Sequence, residues 1–426
     1  MKIKKDVKSV SLLFFSTTMG SMCTFFVYIV LARQLGAENY GLFSAAFSLA
    51  TIASITANFG IPQVWLKVFG SEGWGALSWV RPSLILLVLT TVISCFLMLA
   101  WSEFGPHDSV SEDVLSLMTL FVLGQAFSES MVAKLQLEEK YMKVALLQFA
   151  PHFLRLISVL GLIYVARVNI NPTDIALIYG LVGLITFAVF FHPLRQFSLG
   201  NFVLAGHECT RYQNSITPKS HKDVFKEAWP FGFGAVLAFV YLQIDIIMLK
   251  YISGDREAGL YNVGFVVLTA IMLFPVVLFS KFLLPKYYRW SVHDREKFFS
   301  AYKRGNIIMI ISGIFTALVV FLLSDFGVPF VFGEEYKDSI ILVKILAIVI
   351  PLNFLAYSVG ATLVTTHHIR TKIKIMGLVA VTNVVLNLWL IPYFGSSGAA
   401  AATVISSALL LGFYYFIAKH RVFIGV

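Results

Sequence analysis

The chain has 426 residues, of which 58% are hydrophobic, 15% aromatic and only 13% charged, and its formal net charge is +10. A soluble domain carries about 25% charged residues, so water could not cover this chain without large exposed apolar patches. The composition excludes an ordinary water-soluble domain and fits lipid-facing helices with aromatic belts at the interfaces.

The chain opens on Lys2, Lys4, Lys5 and Lys8, followed by an apolar run of 23 residues from 10 to 32. That run is too long for the core of a secretion signal, and Arg33 stands where small cleavage-site residues would be. It is therefore read as a retained first helix. About 20 predominantly apolar residues span a bilayer, and twelve runs meet that requirement: 10–32, 40–62, 82–101, 113–134, 142–166, 173–194, 228–251, 259–285, 305–324, 339–362, 372–391 and 396–418. The second is the least apolar, and its Ser, Thr and Ala residues allow close helix packing or a wet lining. Three cysteines, Cys23, Cys95 and Cys209, are odd in number and have no metal spacing, which argues against a disulfide framework.

Charge sets the expected orientation. With a cytoplasmic N-terminus, 26 of the 33 Lys and Arg residues fall in inside segments and only Arg33, Arg167, Lys250, Arg256 and Lys337 fall outside. This bias places both termini in the cytoplasm and explains the net charge through topology, with no need for a nucleic-acid partner. The longest connection, 195–227, is polar and basic, and it divides the chain into an N-terminal six-helix bundle (1–194), a cytoplasmic linker (195–227) and a C-terminal six-helix bundle (228–426).

The two bundles share a pattern. A shift of 218 positions lays Leu31, Gly36, Gly41, Leu42 and Phe47 on Leu249, Gly254, Gly259, Leu260 and Phe265 without a gap. An even number of spans in each half makes the repeats parallel, related by an axis along the membrane normal. The expected architecture is an all-α membrane protein of about twelve transmembrane helices in two parallel-repeat six-helix bundles around a central cavity.

Two stretches carry a family resemblance. Leu31-Ala-Arg-Gln-Leu-Gly-Ala-Glu-Asn-Tyr-Gly-Leu-Phe followed by Asn58-Phe-Gly-Ile, and Tyr241-Leu-Gln-Ile-Asp-Ile-Ile-Met-Leu followed by Ala258-Gly-Leu-Tyr-Asn-Val, resemble the polysaccharide flippases of the multidrug, oligosaccharidyl-lipid and polysaccharide exporter superfamily, and most of all the O-antigen repeat-unit group. The resemblance implies a substrate made of a polyprenyl diphosphate carrying a short oligosaccharide. It implies flipping from the cytoplasmic to the periplasmic leaflet of a bacterial inner membrane during O-antigen and lipopolysaccharide synthesis, coupled to an ion gradient. Membrane lipid and polysaccharide assembly proteins are the further partners it implies.

Charges inside spans are functional suspects. Arg155 lies thirteen residues from Met142 and eleven from Ala166, near the middle of the fifth span. Two roles fit it: a fork of donors for a diphosphate crossing the bilayer, or an ion pair with Asp245 or Glu129. His152 lies three residues earlier and shares its face, as a substrate contact or a hydrogen-bonded packing residue. Asp245, in the seventh span, could take a coupling proton or cation or pair with Arg155, and the resemblance raises the first role because Gln243 and Asp245 lie in the matched motif. Arg33 and Lys250 end the first and seventh spans, where they could touch the sugar or diphosphate or anchor the helix ends. Tyr241, Gln243, Asn58, Asn353, Asn383 and Asn387 are polar groups on spans, fit to hold sugar or to bridge helices. Substrate contacts are thus expected from Arg155, His152, Arg33, Lys250, Tyr241 and Gln243, and ion coupling from Asp245.

No P-loop, GxSxG, HExxH or metal-spaced His or Cys occurs, so an ATP-driven pump is disfavoured and no enzyme activity, metal or cofactor is expected. Two other readings compete: a drug or cation antiporter of the same superfamily, and a membrane glycosyltransferase or polymerase. The second usually needs a large outside loop with catalytic residues, and the longest outside segment here, 325–338, is short.

Overall fold

A computed structural model describes residues 2–167, 169–205, 218–276, 278–279, 283–365 and 368–423. Cys209, Arg211 and Lys281, which entered the sequence reading, lie outside the described residues. The described residues form thirteen α-helices and no strand: α1 (Lys2–Asn58), α2 (Ile61–Glu72), α3 (Leu77–Phe104), α4 (Ser109–Leu137), α5 (Tyr141–Leu160), α6 (Pro172–Ser198), α7 (His221–Ser253), α8 (Asp255–Val276), α9 (Leu284–His293), α10 (Arg295–Phe332), α11 (Ser339–Ala347), α12 (Val349–Thr365) and α13 (Ile369–Ile417). In lipid only helices and closed barrels satisfy every backbone group internally, and the alternation-free apolar runs select helices. Among the described residues, nine helical runs are long and apolar enough to cross a membrane. Two of them are broken inside: α1 at Gly36 (φ 73°) and α13 at Gly395 (φ 53°), where the chain is non-helical. These breaks fall between the first and second, and between the eleventh and twelfth, of the expected spans.

Both breaks are built alike. A positive φ is cheap only for glycine, and a new helix starts at the next residue with unpaired N–H groups. A glutamate from another helix end supplies the missing acceptor. Glu335 accepts from the Ala37 amide at 2.8 Å, and Glu257 accepts from the Ser396 amide at 2.9 Å. Other helix starts use local caps: Asp108 for α4, the Asn171/Asp174 box for α6 and Asp294 for α10.

Two helices were absent from the sequence reading. α2 is too short to span, and its apolar residues Ile61, Val64, Trp65, Val68 and Phe69 follow the helical period and are buried. Trp65 also donates its indole N–H to Ser83 at 2.6 Å. α9 is held by buried Tyr287, which packs edge-on against Phe298.

Contacts divide the chain into two compact units, one of residues 1–27 and 46–236, the other of 28–45 and 237–426. In the first, α4 and α6 form the most extensive pairing, and Gly124 on α4 and Gly183 on α6 meet at backbone distance. In the second, α10 packs on α12 and α12 on α13. The same unit holds the start of the helix after Gly36 against α8. Side chains there would collide with backbone, because a Cβ on Gly41 would strike the Asp255 carbonyl and one on Gly259 the Ala37 carbonyl. These four residues are two pairs of the 218-residue repeat, since Ala37 and Gly41 correspond to Asp255 and Gly259. Asn262, the counterpart of Ser44, donates to the Ser44 hydroxyl at 2.7 Å and to Tyr40 at 2.8 Å. The repeat is therefore reciprocal in space as well as in sequence.

Candidate functional site

Each unit carries one polar constellation inside its apolar bundle. In the first unit it is built around Arg155, which is 7% exposed near the C-terminal end of α5. Its guanidinium carbon lies 4.6 Å from the ring centroid of Tyr179 and 5.0 Å from that of Phe121. Those rings are in turn packed by Phe47, at 5.5 and 5.4 Å. Cation–π contacts of a desolvated guanidinium are worth about 2 kcal/mol, so the aromatic wall both orients the arginine and offsets part of its cost in lipid. Tyr179 sits on α6 and Phe121 on α4, and the close Gly124–Gly183 approach brings those two helices together.

Arg155 also lines an open pocket of about 220 Å³ walled by three helices. Thr17 and Ser21 come from α1, Gln125, Ser128, Glu129 and Val132 from α4, and Leu147, Gln148, Pro151, His152 and Arg155 from α5. The polar residues recur at helical spacing: Thr17/Ser21, Gln125/Glu129, and Gln148/His152/Arg155 each share one helix face. His152 is fixed by a 2.8 Å hydrogen bond between its Nδ1 and the Thr24 hydroxyl, and Glu129 accepts from Gln125 at 3.3 Å. A membrane helix tolerates such groups only where they face the protein interior or water.

The second unit's constellation is built around Asp245 on α7, 1% exposed. One carboxylate oxygen accepts from the Tyr261 hydroxyl of α8 and from the Thr403 hydroxyl of α13, both at 2.6 Å. The other accepts from the Asn387 amide at 2.5 Å, and Asn387 donates as well to Asn383 Oδ1 at 3.1 Å. Asn383 and Asn387 are one turn apart and fully buried. The Asn387 carbonyl oxygen is buried without a hydrogen-bond partner among the described residues. Carboxylate, amide and hydroxyl oxygens converging in this way suit a proton or a hard cation.

Of the expected site residues, Arg155 and His152 come together in the first unit. In the second, Tyr241 is one turn before Asp245 on the same face of α7 and bonds Ser407 at 3.1 Å. Gln243 is two residues from Asp245 and thus on another face of the helix, half-buried. Arg33 and Lys250 have structural partners. Arg33 donates to the carbonyls of Phe330 and Val331 at the end of α10, where orphan carbonyls need donors. Lys250 pairs with Asp255 at 2.6 Å across the α7–α8 turn. Asn58 accepts from Ser130 at 3.5 Å as a helix bridge. Tyr261, Thr403, Gln125 and Gln148 were not singled out from the sequence, and Glu129 entered only as an alternative ion-pair partner of Arg155. For Gln125 and Gln148 the available signal was the four-residue spacing from Glu129 and His152, whereas nothing in the sequence tied Tyr261 or Thr403 to Asp245.

Comparison with known proteins fits this arrangement. Residues 7–288 match the family model described as polysaccharide biosynthesis protein. The chain is similar to the capsular polysaccharide biosynthesis protein CapF of Staphylococcus aureus, at 22% identity over 98% of this chain and 100% of that one. It is also similar to the probable low-salt glycan biosynthesis flippase Agl15 of Haloferax volcanii, at 23% identity over 91% of this chain and 78% of that one. Its fold matches that of the lipid II flippase MurJ in an inward closed conformation, with a TM-score of 0.71 and 13% identity over 97% of this chain and 87% of that one. A multi-pass helical membrane protein with a transporter fold and a family match over most of its length, the chain belongs to the polysaccharide biosynthesis protein family.

Proposed function

We propose that this protein translocates polyprenyl-diphosphate-linked oligosaccharide repeat units from the cytoplasmic to the outer leaflet of a bacterial plasma membrane by alternating access, driven by an ion gradient. The observation that carries the reading is Arg155: a buried guanidinium, held by two aromatic rings, at the wall of a polar pocket inside an apolar bundle. A charge at the centre of a membrane helix costs about 2.5–3.5 kcal/mol even on the lowest scales. An acidic headgroup passing through the bilayer needs such a fixed cation, because desolvating a bare diphosphate is prohibitive. Family membership and the similarity to a glycan flippase support the same substrate class.

Asp245 supplies the coupling site in this reading. Its hydroxyl and amide partners hold a carboxylate that can exchange a proton or cation without leaving the bundle. Twelve spans with both termini cytoplasmic, as the charge bias implies, complete the proposed topology.

The test is a deletion strain. Loss of surface polysaccharide with accumulation of lipid-linked repeat units on the cytoplasmic leaflet supports the proposal. Intact polysaccharide together with lost dye efflux would instead favour the drug-antiporter reading.

A further inference from the structure

We infer that the pocket of the first unit is a subsite for a single sugar ring of the lipid-linked headgroup, with the Glu129 carboxylate as the acceptor for its hydroxyl or amino groups. This rests on the flippase reading above and names which part of the substrate the pocket reads.

Size comes first. At about 220 Å³, the pocket is smaller than the roughly 300–1,000 Å³ of sites that enclose drug-sized ligands. The space between the walls is that of about one ring, and because the pocket is open on one side the rest of an oligosaccharide can extend out of it.

Chemistry follows from the walls. A ring presents hydroxyls around its whole edge, each both donor and acceptor. The pocket answers with groups on every side: Ser21 from α1, Gln125 and Glu129 from α4, Gln148 and His152 from α5. A pocket built only for a diphosphate would present cations. Here the Glu129 carboxylate lines the same space as Arg155, so one headgroup can set its diphosphate against the arginine and a neutral or amino-bearing ring against the carboxylate. A carboxylate also accepts hydroxyl hydrogen bonds more strongly than a neutral oxygen does. Glu129 accepts from Gln125 of its own helix, one turn away, so the amide orients the carboxylate.

Helix bridging accounts for part of the arrangement, since Thr17 donates to Gln148 at 3.4 Å and Thr24 bonds His152 at 2.8 Å between α1 and α5. Three helices each turn a polar stripe to the same space, although each is apolar enough to span lipid. Gln125 and Glu129 instead bond each other along α4 and face the space left between the helices.

The experiment uses the full chain in nanodiscs and saturation-transfer NMR, with methyl glucoside, methyl N-acetylglucosaminide, methyl glucosaminide and methyl galacturonide as separate probes. Expected is transfer to the ring protons of at least one neutral or amino methyl glycoside and little to the galacturonide. Glu129→Gln should lower that transfer by about tenfold, the size of effect expected when a charged hydrogen-bond acceptor is lost. Gln148→Ala is the second variant, and it should weaken the same signal if Glu129→Gln proves unstable. No transfer to any glycoside, or an unchanged signal in both variants, would overturn the subsite. Gene deletion separates the two readings: it removes surface polysaccharide if the flippase reading holds, whatever the sugar result.

Discussion

Gly41 and Gly259 meet backbone to backbone, each pressed against the carbonyl of the other's neighbour in the internal repeat. No side chain fits at either place. Gly41→Ala should therefore destabilise the protein by at least the roughly 1–3 kcal/mol of an overpacked core. Gly70, inside α2 with nothing near its would-be Cβ, is the control: Gly70→Ala should be neutral or stabilising by up to about 1 kcal/mol. Thermal unfolding in detergent reads both.

The two glutamates that cap the broken helices should each matter by the amount of a lost N-cap. Glu335→Ala and Glu257→Ala free the amides of Ala37 and Ser396, and each should lower stability by about 0.5–2 kcal/mol. If the two breaks are independent, the double variant should lose the sum.

Much of the fold was legible because lipid imposes a simple rule. Long apolar runs such as 305–324 need nothing but length to be read as helices. The turn at Gly36 was also visible, since Gly36 and Gly254 recur at the repeat spacing, whereas the break at Gly395 has no counterpart in that repeat. What hydropathy could not show was α2, whose period buries Trp65 but whose length is too short to span, or α9. The partners of Asp245 were hidden for another reason. Asn387 is 142 residues away and Thr403 is 158, and only packing brings them together. Asn383 and Asn387 stood out as polar groups on a span, but their place beside Asp245 did not.

Asp245→Asn keeps the shape of the side chain and removes its charge. In proteoliposomes it should abolish the response of transport to an imposed ion gradient while protein still folds and inserts. Tyr261→Phe removes one of the donors to the same carboxylate oxygen. It should weaken coupling without eliminating it. A gradient response unchanged in Asp245→Asn would remove this residue from coupling.

Glu138, just beyond α4, pairs with Lys134 at 2.8 Å and Lys140 at 2.9 Å. Burial would raise its carboxyl, but the hydrogen bonds and charges of the two lysines outweigh it and hold the group below its ordinary value of 4.5. A depressed folded-state value means that its stabilisation is present above pH 4.5 and is lost as pH falls below it. Glu138→Gln should therefore lower the melting temperature at pH 7 more than at pH 3.5, measured in one detergent at one ionic strength.

Arg155 bears the central claim. Arg155→Ala should leave the protein in the membrane and stop transport, whereas Arg155→Lys keeps a charge but loses the planar fork and should retain a reduced rate. The direct measurement is leaflet translocation of a polyprenyl-diphosphate-linked oligosaccharide in proteoliposomes holding wild-type or Arg155→Ala protein. The account predicts rapid translocation by the wild type and a loss of about tenfold or more in the variant, as for removal of a charged donor. Equal rates in the two, with both proteins folded and inserted, would contradict it.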